Sequence, residues 1–317
     1  MELLNKLTVI AGPTASGKSA CAVELARLMN TEIVSADSMQ IYRGLDIGTA
    51  KITKEEKKGV IHHMIDIAAP SYPYSVNEYT TSAQKHIDAV NGKGKIPILS
   101  GGTGLYINSV IYNFNLTEAK SDLKLRDELT KMYEEKGGEY MLGVLREFDK
   151  KTADELHPNN HRRIIRAIEM YKTSGITMSE QKEITKNTEN KYDVCFFVLN
   201  TDREVLYERI NRRVDKMINM GLEKEIDTIF KDSSIPQNAT SLQAIGYKEL
   251  ILYKNGKMTF SEAVDKIKLE SRRYAKRQLT WFRRNNEAMW IDTADFGDNP
   301  EKIAEFMRNE VKKKWQI

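Results

Sequence analysis

Only two of the 317 residues are cysteines, Cys21 and Cys195, and neither has a neighbour at metal-ligand spacing. That excludes a disulfide framework as the source of stability. A reducing, cytoplasmic setting is the expectation that follows. No apolar run approaches the roughly 18 residues that span a bilayer, and nothing before residue 12 reads as a signal peptide. No membrane partner is expected. Internal repeats and low-complexity tracts are missing as well. Net charge is only +4, too small for the whole-chain balance to name a partner, so its distribution matters more. With 40% hydrophobic and 30% charged residues the chain suits one large globular domain, or a core carrying an insertion.

What is present begins with a complete phosphate-binding loop, Gly12-Pro13-Thr14-Ala15-Ser16-Gly17-Lys18-Ser19. Leu7 to Ala11 before it is a short apolar run that reads as a buried strand, and Ser19 onward reads as a helix. Glycines let the backbone curl so that successive N–H groups point inward. The helix N-terminus adds partial positive charge, Lys18 adds a full one, and Ser19 can hold a magnesium ion. The loop implies a bound di- or triphosphate. It does not say what is done with it.

Strands and helices alternate through the first third of the chain. Thr31 to Asp37 reads as a second strand, Ser75 to Val90 as a helix stopped by Asn91-Gly92-Lys93-Gly94, and Ile96 to Ser100 as a third strand. This alternation predicts an α/β fold: a P-loop NTPase-like parallel sheet flanked by helices, with ligands at the strand C-terminal ends. The character changes near Ala119. From Ser121 to about Gln181 the pattern is helical only, with Ser121 and Asn160 as caps, a break at Gly137-Gly138, and Gly175 closing a helix. Residues 120–189 therefore read as a small helical insertion in a core built from 1–119 and 190–317. Lys186 to Asn190 forms the return linker. Tyr192 to Leu199 is a strong strand rejoining the sheet, Thr201-Asp202 cap a helix to about Met220, and further helices are expected to the C-terminus.

Asp37 closes the second strand, on the side of the sheet where the phosphate loop opens. It reads either as a proton acceptor for a substrate hydroxyl or amine, or as a cap on the next turn. Thr103, in Gly101-Gly102-Thr103-Gly104, reads as a hydroxyl that approaches an anion closely, or as part of an ordinary strand-to-helix turn. Arg209 and Arg212 are i, i+3 and Arg209 and Arg213 are i, i+4, so one helix face can present two guanidinium groups. They either reach phosphates or pair in solvent with Glu204, Glu208 and Asp215. His62-His63 lack a third metal ligand at recognisable spacing, and Asp66 matches a magnesium-holding strand aspartate poorly.

Residues 268–284 hold seven basic residues and one acidic, interleaved with Tyr274, Trp281 and Phe282. On one helix, Ile267, Tyr274, Leu279 and Phe282 are expected to face the core. Arg272, Arg273, Lys276 and Arg277 would line a groove for a nucleic-acid backbone. A second basic cluster, His161-Arg162-Arg163 with Arg166, lies on the insertion. From these residues alone, a small-molecule or nucleoside kinase and a nucleotide-driven nucleic-acid-binding switch both stay open beside a group transferase.

The motifs taken together resemble the tRNA dimethylallyltransferase (tRNA isopentenyltransferase) family. The matching pieces run in order over nearly the whole chain: the phosphate loop, Asp37-Ser38-Met39-Gln40-Ile41-Tyr42, Asp46-Ile47-Gly48-Thr49-Ala50-Lys51, Ser100 to Tyr106, Leu156-His157-Pro158-Asn159, Arg163 to Ala167, Arg213-Val214-Asp215, Ala244-Ile245-Gly246-Tyr247 and Ala275 to Phe282. The chain resembles the compact bacterial form, because no zinc finger follows. The resemblance implies that the phosphate loop holds the diphosphate of dimethylallyl diphosphate. The acceptor would be N6 of the adenine 3′-adjacent to the anticodon. Asp37, Thr103 and Arg213 would be catalytic, with a magnesium ion at Ser19. The tRNA anticodon stem-loop would be met by Asp37, Ser38, Met39, Gln40 and Thr103, by Arg126, Arg162, Arg163 and Arg166 of the insertion, and by Arg272, Arg273, Lys276 and Arg277. A monomer is expected.

Overall fold

The computed structural model describes residues 4–112, 122–186 and 190–317. They form two compact units, one from Met1–Ile111 with Lys191–Ile317 and one from Tyr112–Asn190. In chain order the elements of the first unit start with β1 (Lys6–Ala11), α1 (Lys18–Leu28), β2 (Ile33–Ser35), β3 (His62–His63), α2 (Val76–Gly92), β4 (Ile98–Gly101) and α3 (Gly104–Ile111). The second unit contains α4 (Leu123–Arg146), α5 (Lys150–Glu155), α6 (His161–Ser174) and α7 (Met178–Lys186). The chain then completes the first unit with β5 (Asp193–Asn200), α8 (Arg203–Asn219), α9 (Leu222–Phe230), α10 (Tyr247–Lys254), α11 (Phe260–Phe282), β6 (Met289–Asp292) and α12 (Pro300–Trp315).

The sheet is wholly parallel, in the order β3-β2-β4-β1-β5-β6. Val9 of β1 sits between Leu99 of β4 and Phe196 of β5. The central strands are buried on both faces, as helices on both sides of a parallel sheet require. One layer packs α1 and α12 against the sheet, with Leu25, Ile10, Phe197 and Met307 in a shared core. Burial of a side chain such as Leu25 contributes about 1.5–3 kcal/mol. The order puts β1 next to β4, so the phosphate loop after β1 and the glycine-rich turn after β4 open side by side. Two strands differ from the sequence reading. The two residues of β3 are too few to leave a pattern. The C-terminal region is not helical throughout, because Met289–Asp292 pairs with β5 as an edge strand. Only Ile291 of that strand is fully buried, so the hydrophobic signal is faint.

The second unit is helical among its described residues. It has its own core of Leu129, Met141, Leu145, Ile164 and Ile168. The expected cap Ser121 lies outside the described residues, as do 187–189 of the expected linker; Asp122 caps α4 through the amides of Lys124 and Leu125. Gly137 (φ 78°) kinks α4, and Gly175 (φ 73°) closes α6. Asn160 occupies the α6 N-cap without a side-chain bond. No helix among the described residues is long and apolar enough to cross a membrane.

Candidate active site

The phosphate loop is shaped by backbone freedom. Gly17 is left-handed (φ 84°) at the N-cap of α1 and supplies no side-chain cap. By contrast α2, α8, α11 and α12 are capped by Ser75, Asp202, Thr259 and Asn299. The first-turn N–H groups of α1 thus lack a side-chain acceptor, which suits an anion. At Gly12 a Cβ would come 3.0 Å from both the Leu199 carbonyl and the Ser16 hydroxyl. Lys18 Nζ donates to the Pro13 carbonyl at 3.0 Å, folding over its own loop. Burial pushes its ammonium down to about 8, the neighbouring Arg213 adds to this, and Asp37 opposes it. Not every amide of the loop points inward. The Thr14 N–H is donated instead to Oε1 of Gln278 at 2.9 Å.

Asp37 and Lys18 line one cavity of about 360 Å³, together with Thr14, Ser19, Ser38, Met39, Gln40, Arg213, Tyr274, Arg277 and Gln278. A second cavity, of about 780 Å³, shares Lys18, Ser19, Ile52, Arg213 and Met217 with the first. Both spaces therefore border the phosphate loop. Asp37 also caps the turn it starts: its Oδ1 accepts the amides of Met39 (2.9 Å) and Gln40 (3.3 Å). The capping reading of this carboxylate holds, and the residue also borders the cavity.

Thr103 stands one layer behind. Its Oγ1 accepts the Ser38 amide at 3.1 Å and lies 3.4 Å from the Ser38 hydroxyl. Its own amide is donated to the Ala36 carbonyl. A Cβ on Gly101 would fall 2.1 Å from that carbonyl, so the close approach of the two turns needs glycine. Tyr79, buried and stacked on Tyr106, holds β2 by donating to the Ser35 carbonyl at 3.0 Å. Gln40 donates to the carbonyls of Thr49 and Ala50.

Of Arg209, Arg212 and Arg213 on α8, only Arg213 turns inward, donating to the Thr14 hydroxyl at 3.2 Å. Arg209 pairs with Asp298 at 2.6 Å, and Arg212 is exposed beside Glu208. The guanidinium of Arg213 is pushed down by burial and held up by Asp37.

Helix α11 differs in detail from its sequence reading. Ile267 and Phe282 are buried, but so are Ala275 and the polar Gln278, whereas Leu279 is half-buried and Tyr274 lines the cavity. Its basic residues do not form one uniform groove. Arg272 bonds Asn211 at 2.5 Å and lies over Tyr207, and Arg273 pairs with Glu270 on its own helix. Arg277 lines the cavity, and Lys276 is exposed. In the second unit, Arg126 and Arg166 both pair with Oε2 of the fully buried Glu169, at 2.8 and 3.0 Å. Arg162 and Arg163 are exposed.

Three features went unseen in the sequence. Glu225 accepts the amides of Asp46, Ile47 and Gly48 and the Tyr247 hydroxyl, so two separated motifs close on one carboxylate. Lys51 joins the Tyr42 carbonyl, Asp46 and Asp66, which accounts for Asp66 as an ion-pair partner. Gln278 could have been noticed as an amide in the inward helical row between Tyr274 and Phe282. His62 lines the cavity, and burial lowers its pKa; His63 bonds Glu32 and stacks on His86.

No cluster of three or more His, Cys, Asp or Glu residues with metal-holding geometry occurs among the described residues. A cation here would have Ser19 and the ligand's own oxygens as donors, a set that suits magnesium, which keeps most of its waters.

A parallel sheet of this order and an uncapped phosphate-loop helix define a phosphate-loop protein, and Asp37 bordering one cavity with the loop lysine suits a group transferase. Residues 40–285 match the family model described as IPP transferase, and residues 5–70 the one described as isopentenyl transferase. The tRNA dimethylallyltransferase of Bacillus cytotoxicus is 47% identical over 303 residues, covering 96% of this chain and 94% of that protein. The Bacillus anthracis protein of the same name is 45% identical, covering 98% and 97%. The crystal structure of the tRNA isopentenylpyrophosphate transferase of Bacillus halodurans aligns with a TM-score of 0.73 at 42% identity, covering 98% of each chain. A eukaryotic dimethylallyltransferase captured acting on tRNA aligns with a TM-score of 0.76 at 28% identity, over 92% of this chain and 75% of its own. The chain belongs to the IPP transferase family, the tRNA dimethylallyltransferases.

Proposed function

We propose that this protein transfers a dimethylallyl group from dimethylallyl diphosphate to N6 of the adenine 3′-adjacent to the anticodon of tRNA, releasing diphosphate. The observation that carries the reading is the shared border of Lys18 and Asp37 on one cavity, with a second cavity bordering the same loop lysine. In this reading a diphosphate ester and a nucleic-acid base reach the loop lysine from different cavities.

The N6 lone pair is delocalised into the adenine ring, so the amine is a weak nucleophile. Asp37 accepts an N–H, orients the amine, and takes its proton as the N6–C1 bond forms. The C1–O bond breaks, and its electron pair leaves with the diphosphate. Lys18, Arg213 and the uncapped α1 N-terminus stabilise the charge that develops there. Magnesium, when bound at Ser19, supplies further neutralisation of diphosphate oxygens. Thr103 keeps the Asp37 turn in place through the Ser38 amide. An adenine stacked in an anticodon loop cannot enter such a cavity, so it is flipped out at a cost of about a few kcal/mol. In this reading Arg162 and Arg163, and Arg126 and Arg166 held by Glu169, grip the phosphates of the anticodon stem-loop. Ser38, Met39, Gln40 and the α11 residues Arg272, Arg273, Lys276 and Arg277 meet the same RNA. The protein works as a monomer in the cytoplasm.

The test is mass spectrometry of nucleosides from unmodified tRNA incubated with the protein and dimethylallyl diphosphate. The expected product is N6-dimethylallyl adenosine. Transfer of label from gamma-labelled ATP to a small acceptor, with no prenylated nucleoside, would replace this reading by a kinase.

A further inference from the structure

The amide side chain of Gln278 is buried, with 5% of the residue exposed, and both its ends are used. Oε1 accepts the Thr14 N–H at 2.9 Å, and Nε2 donates to the Gly102 carbonyl at 2.8 Å. One end therefore grips the phosphate loop. The other grips the turn that carries Thr103, which in turn holds the Ser38 amide beside Asp37. The fit is tight, because a Cβ on Gly102 would stand 2.2 Å from Nε2. Two positions along, a Cβ on Gly104 would meet the ring of Trp281 at 2.2 Å, so α11 is keyed into this turn at two points.

We propose that Gln278 is a positioning residue that latches the leaving-group loop to the base-bearing turn, so that Lys18 and Asp37 keep one fixed separation. The inference rests on the prenyl-transfer reading above for its consequence in catalysis, though not for the latch itself. Attack on an allylic carbon needs the diphosphate and the amine on a common line, and small displacements of either are costly in rate. An amide is the side chain for this task. It offers an acceptor to an N–H and a donor to a C=O on opposite sides, which a carboxylate or an aliphatic chain cannot do.

The test compares Gln278→Leu, Gly102→Ala and the double variant, all checked for folding by thermal melting. Gln278→Leu removes both hydrogen bonds, and Gly102→Ala displaces Nε2 from the other side. Each is expected to lower kcat about ten- to hundredfold. The double variant is expected to be no slower than the worse single variant, because both break the same connection. Hydrogen exchange at the Thr14 amide reads the latch without turnover: it is slow in the parent protein and at least tenfold faster in each variant. Affinity for inorganic pyrophosphate changes less than kcat. Additive losses in kcat, or a Thr14 amide that exchanges equally in all forms, would overturn the latch. If Gln278→Leu does not fold, Gly102→Ala alone decides through kcat and exchange. A parent protein that fails to prenylate tRNA but shows the exchange pattern would overturn the function and leave the latch standing.

Discussion

Nη1 of Arg213 donates to Oγ1 of Thr14 at 3.2 Å, joining residues 199 positions apart. The contact separates Arg213 from its two helical neighbours, which face other partners. Arg213→Lys is expected to raise the KM for dimethylallyl diphosphate about ten- to hundredfold, because an ammonium cannot reproduce the planar fork. Arg212→Ala is expected to leave it unchanged. Steady-state kinetics with varied donor check both, and equal effects from the two substitutions would remove Arg213 from the diphosphate site.

Asp37 has a structural duty and a proposed chemical one, and substitutions can part them. Asn keeps an oxygen for the Met39 and Gln40 amides but cannot take up a proton. Asp37→Asn should lower kcat by about two to four orders of magnitude with pyrophosphate affinity within a few-fold. Single-turnover transfer and calorimetry measure the two quantities. Near-normal turnover would reject the base.

Lys18 should make diphosphate binding pH-dependent in one direction. With its pKa lowered to about 8, it is a cation below that pH and neutral above it. Bound diphosphate favours the cation, so binding above pH 8 takes up a proton and affinity falls as pH rises through this range. Pyrophosphate titrations between pH 7 and pH 9.5 should show affinity falling with pH in the parent protein relative to Lys18→Met, whose profile reports only the ligand's own ionisation. Profiles of the parent and Lys18→Met that run parallel across this range would contradict the assignment.

Glu225 holds three backbone amides of one loop and the hydroxyl of Tyr247. Glu225→Ala leaves those donors without an acceptor and should lower stability by about 3 kcal/mol. The loss is read from the urea midpoint. An unchanged midpoint would mean that water replaces the carboxylate at no cost.

Glu169 pins Arg126 and Arg166 from within the core of the helical unit. Glu169→Gln should weaken tRNA binding several-fold and leave pyrophosphate binding unaltered. Arg162→Ala with Arg163→Ala should reduce the salt slope of tRNA affinity by about one for each lost phosphate contact. An unchanged slope would take these arginines out of the RNA interface.

Local chemistry accounts for what the linear chain announces. The phosphate loop, the parallel α/β alternation and the helical segment between β4 and β5 follow from short-range geometry: glycine spacing, apolar periodicity and capping residues. The edge strand Met289–Asp292 and the pair His62–His63 escape such reading because neighbouring strands, rather than their own side chains, hold them in place. Arg209, Arg212 and Arg213 are equivalent in sequence spacing, and only the packing of α8 against the loop selects the third.

The amino-acid order alone pointed to the family, through motifs spread over nearly the whole chain, and to the phosphate loop and the candidacy of Asp37, each written within a few consecutive residues. Tertiary structure decided which arginine reaches that turn, that Asp37 also caps its own loop, and that Gln278 and Glu225 tie distant turns together. These depend on contacts between residues up to 264 positions apart. A buried amide or carboxylate finds its partners only when the sheet and its helices bring separate backbone segments within about 3 Å.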